Sequence, residues 1–453
     1  MMIRVVVSHP SKIAKGWGSR SWGHSKGGPA RLLLSSRDEI VSRSLRCVRL
    51  AVASIFPLFL FSATMSLCQT AVPSILCNEG DGIFDGEFST GVKVHVGAAR
   101  NGGSATLATR ACTANLSWGK QELTVATGVS RLDLDAFGVD LGTGIPVAAF
   151  QEKKTESDCC MDYMIYSLEK PPRLLRTITG GRFFSASDKD LDGRVEIWIQ
   201  DAAAVNGFEN LTLAELDYPP TLVFRFANGQ LLDVSAEFQP FFDEEITRIR
   251  AGIHAQDLQD FRRSDGKLKA TLSMSPDQLH QLRMVKIKVL EIVWAYLYSW
   301  REQDAWRSLG EMWPSEDVDR IRVAIMNVRA RGIQGQADGP SSSPVAGKKK
   351  HARIFDAVSR SGPRGKLEVV PPRAMLMQRP ASSDIHQQGS DSEKLLDLVV
   401  DEAGKVRSAA PAGKVNWGDP ELINAAFTWK FIPAFKDGRP VASRVRLDVS
   451  LRR

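Results

Sequence analysis

Outside its first 50 residues the chain has no excess of basic charge. Residues 1–50 hold ten Lys and Arg against two Asp and Glu, and the other 403 residues sum to about −1, although the whole chain carries +7. A nucleic-acid surface needs its cations on the folded part, so that class is excluded. C-x-x-C spacing is absent too, which removes dithiol redox chemistry from the DCCMD stretch around Cys159 and Cys160. No nucleophile, base and orienting group occur together, and the chain is not read as an enzyme. Between Leu50 and Cys77 there is no charge at all, immediately after Arg43, Arg46 and Arg49.

That charge-free stretch has the layout of a secretory signal, cleaved after export, or of a membrane anchor with its positive side in the cytoplasm. Its most apolar part, Leu50 to Met65, contains Pro57 and is short for a span of about 20 residues. A signal or anchor at 45–71 leaves 1–44 as a non-structural extension upstream of the true start, and it places the remainder in the periplasm. Export sets how the cysteines read. Cys47 and Cys68 fall in the leader, and Cys77, Cys112, Cys159 and Cys160 remain in an oxidising compartment. Cys77 is expected to pair with Cys112, with Cys159 and Cys160 either bridged to each other or both free.

The composition, 43% hydrophobic and 25% charged, is that of folded material, and the length allows about three domains. Residues 78–265 read as a β-rich domain, a sandwich or a partial propeller, from short runs such as VEIWIQ and TLVFRFANGQLLDVS separated by turn residues. Asn228-Gly229 predicts a type I′ hairpin. From Ser275 the period becomes helical, with Ser275 as N-cap, Pro276 at N1 and Gln278 as capping-box partner. Two further helices, EQDAWRSLGEMW and one capped by Ser315 that runs to Gly332, complete a small all-α unit at 275–332. Its Trp294, Trp300, Trp306 and Trp313 read as packing residues. Pro, Ser and Gly dominate 333–392, which predicts a flexible linker of about 40 Å average span and roughly 190 Å full reach. Within it, KLEVV is a candidate docked strand.

In SDKDLDGRVEIW, Asp188, Asp190 and Asp192 alternate before Gly193, with Glu196 following. Oxygen ligands at alternate positions of a loop that turns at glycine converge on a hard cation, and calcium with a structural role is the expectation. The stretch resembles the DxDxDGxxE calcium loops of FG-GAP and VCBS propeller repeats.

The last 61 residues, 393–453, combine a strand and a turn at Asp401 to Gly404, a helix opened by Asp419 and Pro420, and the alternating strand SRVRLDVSL. Here Val445, Leu447, Val449 and Leu451 face a core, and Arg444, Arg446 and Asp448 face away. The run DEAGKV, DPELINAA, WKFIPA, DGRPV, VRLDV resembles the C-terminal domain of the TonB family, with Trp429, Phe431, Pro433, Gly438 and Pro440 as its most specific positions. The resemblance implies a small α+β domain that takes up an extended segment of an outer-membrane receptor, or another envelope protein, by β-augmentation along Val441 to Leu451. It also implies coupling to an inner-membrane motor complex. The family's anchor is expected to carry a Ser and a His; Leu50 to Val72 has Ser54, Ser62 and Ser66 but no His. The fold class is therefore multidomain: a β-rich domain, a helical unit, a linker and a TonB-like α+β domain. The leading functional expectation is an exported adaptor. The second is a periplasmic calcium-braced glycan-binding protein or enzyme that carries the terminal domain for docking.

Overall fold

The computed structural model describes residues 74–99, 111–156, 159–268, 275–340, 352–357, 369–378, 380, 395–412 and 420–449. The leader, Cys47, Cys68, Asp419 and Leu451 lie outside them.

β1 (Cys77–Asn78) is followed by β2 (Phe84–Glu87), β3 (Lys93–Ala98), β4 (Cys112–Trp118) and β5 (Gln121–Val129), and these four form an antiparallel sheet in sequence order. The chain then meanders through β6 (Arg131–Val139), β7 (Val147–Lys153), β8 (Met161–Ser167), β9 (Leu174–Ser187), β10 (Glu196–Asp201), β11 (Thr221–Ala227) and β12 (Gln230–Asp233). With β1 at one edge these strands make a nine-stranded sheet, whose other edge is β13 (Gly339–Pro340). The expected hairpin joins β11 to β12. Asn228 and Gly229 both take positive φ, 52° and 78°, the pair of angles a type I′ turn requires.

Alternating apolar residues decide which layer each face meets. Leu132, Leu134, Phe137, Ala148 and Phe150 pack against Val94, Val96, Ala114 and Leu116 of the smaller sheet, so the two sheets face each other across one core. The disulfide between Cys77 and Cys112 bridges β1 of the large sheet to β4 of the small one. Cys159 and Cys160 are bridged to each other.

The opposite face of the large sheet carries helices. Five pack there: α1 (Gln239–Ala251), α2 (Ala255–Arg262), α3 (Pro276–Tyr298), α4 (Glu302–Met312) and α5 (Val318–Arg331). Phe184, Ile197, Ile199 and Phe224 share a single core with Phe242, Ile246, Trp294, Leu309 and Ile325. This corrects the expected division at 265/275. The stretch 239–262, assigned to the β-rich domain, is helical, and the helices share the sheet's core. Ser275 caps α3 as expected by accepting from the Gln278 amide at 3.2 Å. α5 begins at Val318, three residues past Ser315, after an Asp317 N-cap that makes no side-chain cap bond. Trp294 and Trp313 are buried, whereas Trp300 is 45% exposed and donates to Asp233 at 3.1 Å.

The described pieces of 333–392 are docked rather than free. β13 pairs with β12; β14 (Phe355–Asp356) and β15 (Arg373–Leu376) pair with strands of the terminal module. Val370, at the end of KLEVV, exchanges both backbone hydrogen bonds with Phe435, at 2.7 and 3.0 Å.

The terminal module consists of β16 (Leu395–Val400), β17 (Val406–Ala412), α6 (Pro420–Ala426), β18 (Lys430–Ile432), β19 (Ala434–Lys436), β20 (Arg439–Val441) and β21 (Ser443–Asp448). Its main sheet runs β14-β21-β16-β17. Leu396, Leu398, Leu422, Ala426, Trp429, Phe431, Val445 and Leu447 form its core. The turn between β16 and β17 closes on Phe431: a side chain at Gly404, φ +82°, would put its Cβ 1.8 Å from the Phe431 carbonyl oxygen. Only glycine fits there.

Candidate functional site

Three features converge where the terminal module meets the large sheet. The first is the outer edge of β21. β21 pairs antiparallel with β16 through six residues, Ser443 to Asp448. On its other side Phe355 donates to the Ala442 carbonyl at 2.9 Å and Ala357 to the Arg444 carbonyl at 3.0 Å. The backbone groups of Ala442 and Arg444 therefore point away from β16. By the alternation of an antiparallel ladder those of Arg446 point the same way, and those of Val445 and Leu447 point to β16. Among the described residues the pairing with β14 reaches no further than Arg444. The Arg446 guanidinium lies flat against Asp397, its cross-strand partner, with hydrogen bonds of 2.7 and 2.8 Å. Val441 is not part of this strand. It pairs with Ala434 in the β19–β20 hairpin, which turns at Asp437 and Gly438.

The second feature is a set of buried ion pairs. β6 is covered on both faces, and its Asp133 and Asp135 are 0% and 2% exposed. The ammonium of Lys430, next to Trp429 in the WKF motif, pairs with Asp133. Lys405, from the β16–β17 turn, pairs with the Asp135 carboxylate and donates to its carbonyl at 2.7 Å. Burial drives the Lys430 ammonium below its ordinary range, while Asp133 pulls it back up. Both oxygens of each aspartate are used. Gln151 donates at 2.8 Å to the Asp133 oxygen that pairs with Lys430, the Leu76 amide donates to the other at 3.1 Å, and Tyr163 and the Ala186 amide each donate at 2.7 Å to the second oxygen of Asp135.

The third feature is the acidic loop between β9 and β10. Asp188, Asp190 and Glu196 bring carboxylate oxygens within 4.8 Å of one another, and Asp188 and Glu196 are fully buried. The loop is shaped by Asp188 itself, which accepts from the amides of Asp192 and Gly193 at 3.0 and 2.8 Å. Asp192, expected as a fourth ligand, turns instead to Arg194, whose Nε donates to it at 2.9 Å. Burial, and then the neighbouring Glu402 carboxyl, pushes Asp188 up to about 9. Burial pushes Glu196 up to about 8 even though Arg225 pulls it down, and one Glu196 oxygen has no hydrogen-bond partner among the described residues. This donor set is hard, anionic and convergent, and it fits a hard cation.

The loop is also tied to the module. Asp401 accepts from the Asp188 amide at 3.1 Å, and Ala352 donates to the Leu191 carbonyl at 2.6 Å. Beside it a cavity of about 780 Å³ is bordered by Gly193, Arg194, Arg225, Glu402 and Arg439. Sequence reasoning missed Glu402, Lys405, Asp133 and Asp135, and placed Lys430 in the WKFIPA motif without an ion-pairing role. The signal for the aspartates was present as two acids at alternate positions of an otherwise apolar strand.

Nothing among known family models, curated proteins or solved structures matches this chain.

Proposed function

We propose that residues 395–449 form a strand-accepting module of the TonB type, which takes up an extended segment of an envelope protein along the outer edge of β21. One observation carries this reading: an extended segment of the same chain, β14, already lies on that edge and bonds to its outward carbonyls. Main-chain pairing supplies affinity, and alternating side chains supply choice. The two disulfides suit an oxidising compartment such as the periplasm. Among the described residues no helix is long and apolar enough to cross a membrane.

Position 446 tests the reading. Arg446→Pro removes an amide that points away from β16, so it deletes an incoming strand's bond without deleting one of the module's own. A photo-crosslinking residue at 448 in the full chain, expressed in a Gram-negative envelope, should capture an envelope protein. That adduct should be lost with Arg446→Pro and kept with Arg446→Ala. Adducts that persist in a folded proline variant would refute the edge as the docking site.

We further infer that Asp188, Asp190 and Glu196 hold a calcium ion as a structural brace between the β9–β10 loop and the Asp401–Glu402 turn. Each of the three carboxylates brings an oxygen within 4.8 Å of the other two, and a divalent charge among them would offset their mutual repulsion.

A further inference from the structure

A second cavity, of about 620 Å³, opens at the corner where α3 turns into α4, with α5 along its far side. Trp300, Glu302, Gln303, Asp304, Trp306 and Arg322 border it. The corner is a Schellman turn: the Trp300 amide donates to the Leu297 carbonyl at 3.2 Å and the Arg301 amide to that of Tyr296 at 2.9 Å. The left-handed position of such a turn ordinarily holds glycine, because a Cβ there crowds the following carbonyl. Here it holds the bulkiest side chain, Trp300, at φ +64°. The fold gains little burial in return, since Trp300 stays 45% exposed. Its indole N–H is fixed on Asp233, and the Arg329 guanidinium carbon, 6.0 Å from the ring centre, does not border the cavity. What the strained turn supplies is a rigid, half-exposed aromatic surface at the cavity.

The groups around the ring select the chemistry of what can lie on it. Arg301, which also borders the cavity, and Arg322 balance Glu302 and Asp304, and the sum stays zero when Asp243, the partner of Arg301, and Arg307, the partner of Asp304, are included. A net charge on the ligand gains little from such a rim, whereas a neutral ligand with both donors and acceptors can use all of it. Trp306 donates its N–H to Glu302 at 2.9 Å and backs the Arg322 guanidinium, whose carbon lies 4.8 Å from the ring centre. The side chains of Arg322 and Gln303 are exposed and make no hydrogen bond or ion pair among the described residues. We propose that this corner binds a chain of β-1,4-linked hexopyranose rings. A ring whose substituents are all equatorial turns only C–H groups to its faces, and these pack on the electron-rich face of an indole. Its rim hydroxyls then meet Arg322, Gln303 and the second oxygen of Glu302. The β-1,4 link keeps successive rings flat, so one of them can rest on Trp300 while the chain runs on over the open corner. The volume is that of a small-molecule site.

The inference does not depend on the docking role proposed for β21, and its test is separate. Isothermal titration of the full chain with cellohexaose and with chitohexaose should give saturable binding of at least one. Maltohexaose, of the same length but with a curved α-1,4 backbone, should bind at least fivefold more weakly. Trp300→Gly separates platform from scaffold, because glycine suits the left-handed turn. Its circular dichroism and melting should stay close to wild type while binding falls at least tenfold. Arg322→Gln, at an exposed position with no hydrogen bond of its own among the described residues, should weaken binding about threefold or more. Absence of binding by both β-linked oligosaccharides would overturn the assignment and leave the Trp300 surface as a protein contact. Equal affinity for maltohexaose would overturn it too, as would binding unchanged by Trp300→Gly, or by Arg322→Gln should the glycine variant not fold.

Discussion

Lys430 and Asp133 are 297 positions apart in the chain and meet in its interior. A buried ion pair loses far more when one member is removed than when both are, because the survivor is left charged and unsolvated. Lys430→Met alone should therefore cost about 3–5 kcal/mol in chemical denaturation of the full chain, and Asp133→Asn combined with Lys430→Met should recover most of it. Recovery of less than about a third would show that the lysine acts through packing instead. Glu291 offers a second residue-level test. It is 1% exposed, accepts from the Tyr218 amide at 2.7 Å, and is pushed up to about 8 by burial. Its folded value lies above its unfolded one, so the stability it gives is present below about pH 4.5 and is lost as pH rises toward 8. Wild-type protein should lose on the order of 3 kcal/mol between pH 5 and pH 8 through this group, and Glu291→Gln should flatten that slope. Identical pH slopes would contradict the burial argument. The alternation around Asp133 and Asp135 identifies a strand from sequence alone, but the lysines that neutralise them lie on a different module, and no local pattern points to them.

Among the elements, α1 shows where periodicity was present and overridden. Phe242, Ile246 and Ile249 stand at helical spacing behind Pro240 in the first turn, yet the stretch directly follows the run of short β-like segments and is read with them. The core positions of β21 were legible, because Val445, Leu447 and Val449 alternate with polar residues in a way only a half-buried strand explains. The neighbour on its outer edge was not legible. β14 is two residues long and sits in a Pro-, Ser- and Gly-rich region. Its hold includes two backbone hydrogen bonds, the Lys436 ammonium 4.5 Å from the centre of the Phe355 ring, and an exposed pair of Arg444 with Asp356 at 3.6 Å, which contributes little. An incoming strand has to displace those two bonds, at a cost of about 1–3 kcal/mol. Phe355→Pro should accordingly raise crosslinking yield or affinity for the envelope partner by roughly 5- to 100-fold. A fall in affinity would mean that β14 forms part of the docking surface.

For the whole molecule, the β-rich and helical pieces share one core, while the terminal module keeps a core of its own and is tied to the large sheet by buried charge pairs. Sequence composition could not reveal this, since a linker and a strap have the same Pro- and Gly-rich content and differ only in what they touch. The acidic loop lies at this junction, through Asp188 and Asp401 and through Asp188 and Glu402. A cation bound there stabilises the assembled state alone, so calcium at 100 times its dissociation constant should add about 2.7 kcal/mol and raise the melting temperature over that in chelator. Asp190→Asn should abolish the difference, and Asp192→Asn, whose carboxylate is held by Arg194, should largely keep it. Equal melting of the wild type with calcium and with chelator would remove the brace.

The six-residue ladder between β21 and β16 also determines how the module behaves under tension. A partner strand lying along β21 and pulled lengthwise would load that ladder in shear, so its hydrogen bonds would have to fail together rather than unzip one at a time. The load would pass from β16 through its turn to Lys405 and Asp135, and from there into β6 of the large sheet. Pulled across the strands instead, the two bonds to β14 would be the first to yield. The edge is thus built to be strong along one direction and weak across it, a mechanical anisotropy that an optical-trap measurement on the full chain would read as two distinct rupture forces.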